Sequence, residues 1–175
     1  MHHLIVALDA WHVPVPVDLF QLPGPHSYTA KTCATQLLSP QEIRDTVRDA
    51  TIIAITVTPL DALTLSEDLT PNLRLVVAVA SGTDAIDKQK CKERGIRVLN
   101  SPDSNAQSVA EHAISLYFAS RRRILRVHHA MLNSNAWMEQ GTLAHKLDLA
   151  DGQKPLSCQE ETVGIIGLGA VGNKA

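Results

Sequence analysis

The sequence predicts an α/β fold built on a parallel sheet. Three observations predict it. Short β-branched runs recur at Leu4–Leu8, Ile52–Val57, Leu75–Ala80 and Ile96–Leu99. Each is nearly continuous in apolarity, as strands buried on both faces of a helix-covered parallel sheet are. Helical segments separate them, and strand–helix alternation builds βαβ units with right-handed crossovers. A glycine-rich turn follows the last apolar run.

The elements follow in order. The N-terminus, Met-His-His-Leu-Ile-Val-Ala-Leu-Asp, has no positive leader and Asp9 interrupts its apolar stretch early, so it reads as a first strand and not a signal peptide. Val13–Pro25 contains Pro14, Pro16, Pro23 and Pro25 and should be irregular, because proline removes donors and fixes φ. Gln41–Asp49 places Ile43 and Val47 on one helical face. Thr83–Arg94 reads as a helix capped at Thr83 or Asp84 and stopped by Gly95. The longest helical pattern runs from Ser108 to about Leu132. Ser108-Val-Ala-Glu111 has the form of a capping box. Val109, Ala113, Leu116, Tyr117 and Ile124 make its apolar face, with Ser120 small enough to share it. Arg121, Arg122, Arg123 and Arg126 crowd its far end and read as a solvated face. Gly141–Glu161 is polar and reads as a surface connection carrying Trp137 just before it as a packing residue; Thr162–Ile166 is a new strand.

Composition narrows the function classes. The chain has 175 residues, 45% hydrophobic and 19% charged, which excludes a disordered or collagen-like chain. Its length allows one domain, or one and part of a second. A pI near 6.4 argues against nucleic-acid binding, which needs surplus Lys and Arg. Leu75–Ala80, the longest apolar run, is far too short to span a bilayer. Cys33, Cys91 and Cys158 make neither a metal cluster nor a disulfide framework, which fits a reducing, cytoplasmic compartment. His128 and His129 are adjacent, face different sides of a helix and cannot share a metal.

The turn Gly167-Leu-Gly169-Ala170-Val171-Gly172 is G-x-G-x-x-G after a strand. Gly167 would allow the tight turn, Gly169 the approach of a pyrophosphate, and Gly172 close packing of helix on strand. The N–H groups at the helix start would face the phosphates. Alone, the motif serves equally as a strand-to-turn connection with no ligand. The acidic residue that would bind the ribose falls past Ala175.

Four blocks carry a wider resemblance. They are Ala80-Ser-Gly-Thr-Asp-Ala-Ile-Asp87 with Lys92–Asn100, Asn105–His112 heading the long helix, the lone Trp137, and Thr162–Gly172. Together they resemble the NAD(P)-dependent D-isomer-specific 2-hydroxyacid dehydrogenases. The resemblance is specific from about Ile52 onward and loose before that. It implies a flavodoxin-like substrate domain over 1–105. It further implies that 106–175 is an interdomain helix, a connection and the start of a truncated Rossmann domain. By the same resemblance, backbone amides at Ser81 and Gly82 bind the substrate carboxylate and Asn105 lies near the substrate. Ser108 touches the nicotinamide half of the cofactor, although its capping role is the alternative. Gly167, Gly169, Ala170, Val171 and Gly172 bind NAD or NADP. The family's catalytic arginine, glutamate and histidine would lie beyond Ala175, and Glu111 and His112 are not substitutes for them. The implied activity is hydride transfer to or from a small 2-oxo or 2-hydroxy acid, with the chain as written inactive by itself. The implied partner is a second copy, with no nucleic acid and no membrane. An NAD-sensing corepressor or partner-binding protein of the same fold is the alternative.

Overall fold

In chain order the first part of the computed structural model runs β1 (His2–Ala7), β2 (Ser27–Thr32), α1 (Pro40–Val47), β3 (Ile52–Ile55), β4 (Leu75–Ala78), α2 (Lys88–Glu93) and β5 (Arg97–Asn100). Residues 1–17, 21, 23–34 and 38–175 are described. They divide into two compact units, Met1–Ser104 and Asn105–Ala175.

The strands of the first unit form one parallel sheet in the order β2-β1-β3-β4-β5. That is the flavodoxin-like order. The four predicted runs supply β1, β3, β4 and β5. Val6, Leu8, Ile53, Ile55, Val76 and Ala78 project from them into a core closed by Ile43 and Val47 of α1, Cys91 of α2, and Ile96. Strand β2 has no counterpart in the sequence reading. It is one of the two edge strands, with only alternate residues half-buried toward its start, so its sequence, Ser-Tyr-Thr-Ala-Lys-Thr, carries no continuous apolar run. Register holds it instead. His2 pairs with Ser27 and Ala7 with Thr32, and the His2 ring reaches Ser27 Oγ at 2.9 Å and Thr29 Oγ1 at 3.0 Å.

Helix α1 turns Ile43 and Val47 inward as their spacing predicts. It starts at Pro40 on a capping box in which the Ser39 amide donates to Glu42 and the Glu42 amide to Ser39 Oγ. Helix α2 starts later than predicted. Asp87, not Thr83 or Asp84, is its cap, accepting from the Lys90 amide at 2.9 Å. The cause is tertiary. Leu60 forms a parallel bridge with Ile86, donates to Ala85 O at 2.8 Å and accepts from Asp87 N at 3.0 Å. That pairing holds the backbone extended until Asp87. The helix stops as predicted at Gly95, whose φ is +67°. Gly95→Ala should therefore lower stability by about 1–2 kcal/mol, the left-handed penalty of an L-residue. The check is a lower urea midpoint at unchanged m; a midpoint equal to the parent's would refute it. In Val13–Pro25 the described residues form no strand and no α-helix; residues 18–20 and 22 lie outside the description.

The second unit contains α3 (Ala106–Arg121), α4 (Ile124–Asn133), α5 (Ala136–Gln140) and a 3₁₀ turn at Ala144–Leu147. Four expectations fail here. The single long helix is two helices, broken where Arg123 takes a left-handed φ of +50°. Arg121, at the end of α3, is drawn toward the connection: its guanidinium binds Glu161 and the carbonyls of Leu156 and Ser157. The capping box is absent. Helix α3 begins at Ala106, so Ser108 lies inside its first turn, and Glu111 accepts from the Gln107 side chain at 2.8 Å. The predicted apolar face is uncovered. Ala106 and Ala110 are the residues of α3 that are buried, while Val109, Leu116 and Ile124 are exposed. Thr162–Ile166 is not a strand either. A strand exists through its partner's hydrogen bonds, and among the described residues this unit holds no strand to pair with it. Ile166 is fully exposed.

Candidate functional site

In an open parallel sheet, ligands bind outside the carboxyl ends of the strands. The loop leaving β4 at that edge holds Ser81 and Gly82. Its first part is tied to the end of β5. Ser101 N donates to Ala80 O at 3.0 Å and the Asn100 side-chain amide donates to Ser81 O at 2.7 Å. Ser81 Oγ reaches Ser101 O at 3.5 Å. Its far part is held by the Leu60–Ile86 bridge. Both ends of the loop are thus fixed by neighbouring segments of the same unit. A Cβ added at Gly82 would press to 3.2 Å from the Asp84 carboxylate, so a side chain there would crowd the loop.

One residue that sequence reasoning missed organises the same edge. Asp9 lies just past β1 and is 4% exposed. Its Oδ2 accepts from the amides of Thr56 (2.7 Å), Val57 (2.9 Å) and Thr58 (3.0 Å), and its Oδ1 accepts from the Thr58 hydroxyl (2.6 Å). Burial pushes its carboxyl pKa up. The Thr58 hydroxyl and the amides of Thr58, Thr56 and Val57 outweigh burial and hold it below the ordinary carboxylate range. In the sequence Asp9 appears only as the residue that ends an apolar run.

Asn105, Ser108 and the glycine turn belong to the second unit. Asn105 precedes α3 and its carbonyl accepts from Val109 N at 3.0 Å. Ser108 sits in the first turn of α3. The glycine turn is tied to that same turn through Lys174 Nζ and Gln107 Oε1, 3.4 Å apart. Within the turn each glycine has a separate demand. Gly167 has φ +96°. A Cβ on Gly172 would lie 2.0 Å from Gly167 O, an impossible contact, whereas a Cβ on Gly169 would meet nothing of the chain within 4 Å. Glycine at 169 therefore leaves room for something other than the protein. The chain then enters a helical turn. Asn173 N donates to Gly169 O at 3.0 Å, so the amides of Ala170, Val171 and Gly172 precede the first helical bond.

Two other features bear on chemistry. Among the described residues, no histidine is hydrogen-bonded or ion-paired to a carboxylate; His2 pairs with hydroxyls and His3 with His26. No group of three metal-ligating side chains occurs among them, and no helix is long and apolar enough to cross a membrane. A cavity of about 630 Å³ lined by His3, Ile52, Arg74, Leu75 and Arg97 opens where β1, β3, β4 and β5 begin, at the opposite edge from the Ser81–Gly82 loop.

A flavodoxin-like sheet with a fixed loop at its carboxyl edge, followed by a G-x-G-x-x-G turn, places the chain among the doubly wound α/β proteins. Comparison makes the class specific. Residues 15–155 match the family described as D-isomer specific 2-hydroxyacid dehydrogenase, catalytic domain, and the chain belongs to it. A glycerate dehydrogenase of Methylorubrum extorquens is 30% identical over 172 residues, covering 96% of this chain and 49% of that protein. A glyoxylate/hydroxypyruvate reductase of Arabidopsis thaliana is 39% identical over 102 residues, 58% of this chain and 29% of that protein. Among solved structures, the NADPH-dependent glyoxylate/hydroxypyruvate reductase of Sinorhizobium meliloti, in complex with NADP and malonate, superposes with TM-score 0.64 at 23% identity. It matches 98% of this chain and 48% of its own. The likeness to that structure is one of fold. The chain spans about half the length of the glycerate dehydrogenase and of the solved reductase.

Proposed function

We propose that this chain forms the substrate-carboxylate loop and the pyrophosphate turn of an NAD(P)-dependent dehydrogenase acting on small 2-hydroxy acids of the glyoxylate and hydroxypyruvate class. The similarity to a glycerate dehydrogenase along 96% of the chain carries this reading. The amides of Ser81 and Gly82 receive the carboxylate, as oriented amides at a strand end do. Asn105 stands beside the substrate and Ser108 beside the nicotinamide. Gly167, Gly169, Ala170, Val171 and Gly172 cradle the pyrophosphate. The residues present fit a dinucleotide: Gly169 leaves its approach open, and the amides of Ala170, Val171 and Gly172 precede the helical turn. Bound nicotinamide supplies or accepts the hydride, and the chain's own part is to bind and orient. Residues 1–105 act as the substrate domain and 106–175 as part of the nucleotide-binding half. A second copy of the protein is the partner we assign to the second unit, which among the described residues carries most of the exposed large hydrophobic side chains, Leu125, Leu132, Trp137 and Met138 included.

The 175-residue chain by itself should not turn over. Proton transfer at the substrate oxygen calls for a histidine whose pKa a carboxylate raises, and no described histidine has such a partner. The test compares two samples. The native protein isolated from its source should oxidise NADH or NADPH with glyoxylate or hydroxypyruvate. The 175-residue chain should give only the rate of a Ser81→Pro, Gly169→Val control. A native protein with no such activity would overturn the assignment.

A further inference from the structure

In a β2-β1-β3-β4-β5 sheet the topological switch point lies between β1 and β3, and that crevice is the usual seat of a ligand. In this chain a carboxylate is already there. Asp9 leaves the end of β1, and the amides that meet it, Thr56, Val57 and Thr58, leave the end of β3. Three successive N–H groups converging on one oxygen make an anion-binding concavity. We propose that the Thr56–Thr58 amides are an anion cradle whose resident anion is the chain's own Asp9, and that Asp9 thereby acts as a positioning residue for the Ala80–Asp87 loop.

The path is short and continuous. Asp9 fixes Thr56, Val57 and Thr58. Two residues on, Leu60 is 1% exposed and bonded on both sides to the loop, at Ala85 and Asp87, with Ile86 paired between them. The near end of that loop is held separately, by Asn100 and Ser101. Asp9 therefore sets the one end that neither β4 nor β5 controls. It also closes the switch point from within, which leaves the next loop along the edge, Ser81–Gly82, as the place for an external carboxylate. This last step rests on the function proposed above.

The experiment uses the full 175-residue chain, labelled with ¹⁵N, and sodium formate, which is the Asp9 carboxylate without its tether. In Asp9→Gly, formate should shift the amide signals of Thr56, Val57 and Thr58 saturably. It should also return those of Ala85, Ile86 and Asp87 toward their parent positions. In the parent chain formate should move none of them, and sodium chloride should move none in either. A folded Asp9→Gly chain in which formate leaves Thr56–Thr58 unmoved overturns the cradle. One in which Ala85, Ile86 and Asp87 already hold their parent positions overturns the positioning role. If Asp9→Gly does not fold, Asp9→Asn takes its place, keeping one acceptor oxygen at the same reach. Displaced signals at both Thr56–Thr58 and Ala85–Asp87 are then expected, and an unmoved Ala85–Asp87 segment overturns the role. Glyoxylate enters neither arm. A parent chain whose Ser81 and Gly82 signals ignore glyoxylate would count against the proposed function and leave the formate result to decide this one.

Discussion

Asp9→Ala is expected to destabilise the first unit by about 4 kcal/mol. The substitution removes the acceptor of three amides and a hydroxyl, and each buried donor left unsatisfied costs about 1–3 kcal/mol. The low end of the sum applies, because Val57 is 53% exposed and water can reach part of the cradle. Asp9→Asn keeps one acceptor oxygen and should lose roughly half as much. The effect also has a pH signature. The native carboxyl titrates below its unfolded counterpart, because the four donors outweigh the burial that opposes them. The unfolded chain therefore takes up the proton first as pH falls. The stabilisation is complete above the unfolded value, near pH 4, and is lost as pH drops from there through the native value. Glu42 and Asp61 are held low in the same direction, Glu42 by Ser39 and Asp61 by Thr64 with Arg44, so acid weakens the parent and the variant alike. The difference in Tm between parent and Asp9→Asn isolates Asp9. It should be constant from pH 7 to about 5 and should shrink below about 4. A difference that does not change with pH would show that the charge on Asp9 plays no part.

How far the sequence carried the structure depended on where each signal was stored. Strands β1, β3 and β4 announce themselves, because a strand covered on both faces must be apolar along its length, and the short run Ile96–Leu99 reveals β5 although that strand lies at the other edge of the sheet and is largely exposed. Ile43 and Val47 identify α1 for the same reason: burial selects their spacing. Edge strand β2 has one pairing neighbour and a solvated outer side, so nothing in Ser27–Thr32 demands apolar residues. The start of α2 was ambiguous because Thr83, Asp84 and Asp87 can all cap a helix. The choice among them was made by Leu60, whose pairing with Ile86 no local pattern reveals. The reading of Ser108–Leu132 as one helix followed a periodicity that continues across the Arg121–Arg123 break. Thr162–Ile166 has strand composition without a partner, and composition alone does not supply one. Asp9 was the costliest omission. A carboxylate at the end of a hydrophobic run reads as a terminator, and its acceptor role depends on amides 47 to 49 residues later. The glycine turn was legible because its spacing encodes sterics within a few residues: the clash that forbids a side chain at 172 is with the carbonyl of 167.

That turn gives the second large effect. In the native protein that carries this sequence, Gly172→Ala and Gly169→Ala should each weaken NAD(P)H binding at least about tenfold, or about 1.4 kcal/mol. They should do so for different reasons. The new methyl at 172 would fall 2.0 Å from Gly167 O and 3.3 Å from Leu168 Cα, both backbone atoms. No rotamer relieves that contact, so the Gly167–Leu168 backbone must move. Asn173 then loses its bonds to Gly169 O and Leu168 O. At 169 the methyl meets no atom of the protein within 4 Å. It disturbs nothing until a pyrophosphate approaches the backbone that it now covers. The 175-residue chain separates the two causes without any nucleotide. Gly172→Ala should shift the amide signals of Leu168, Gly169 and Asn173, and Gly169→Ala should leave Leu168 and Asn173 near their parent positions. A Gly169→Ala protein that binds NAD(P)H as tightly as its parent would mean that the pyrophosphate does not lie against this turn. The glycine at 169 would then answer to the chain's own geometry, which the open space around it gives no reason to expect.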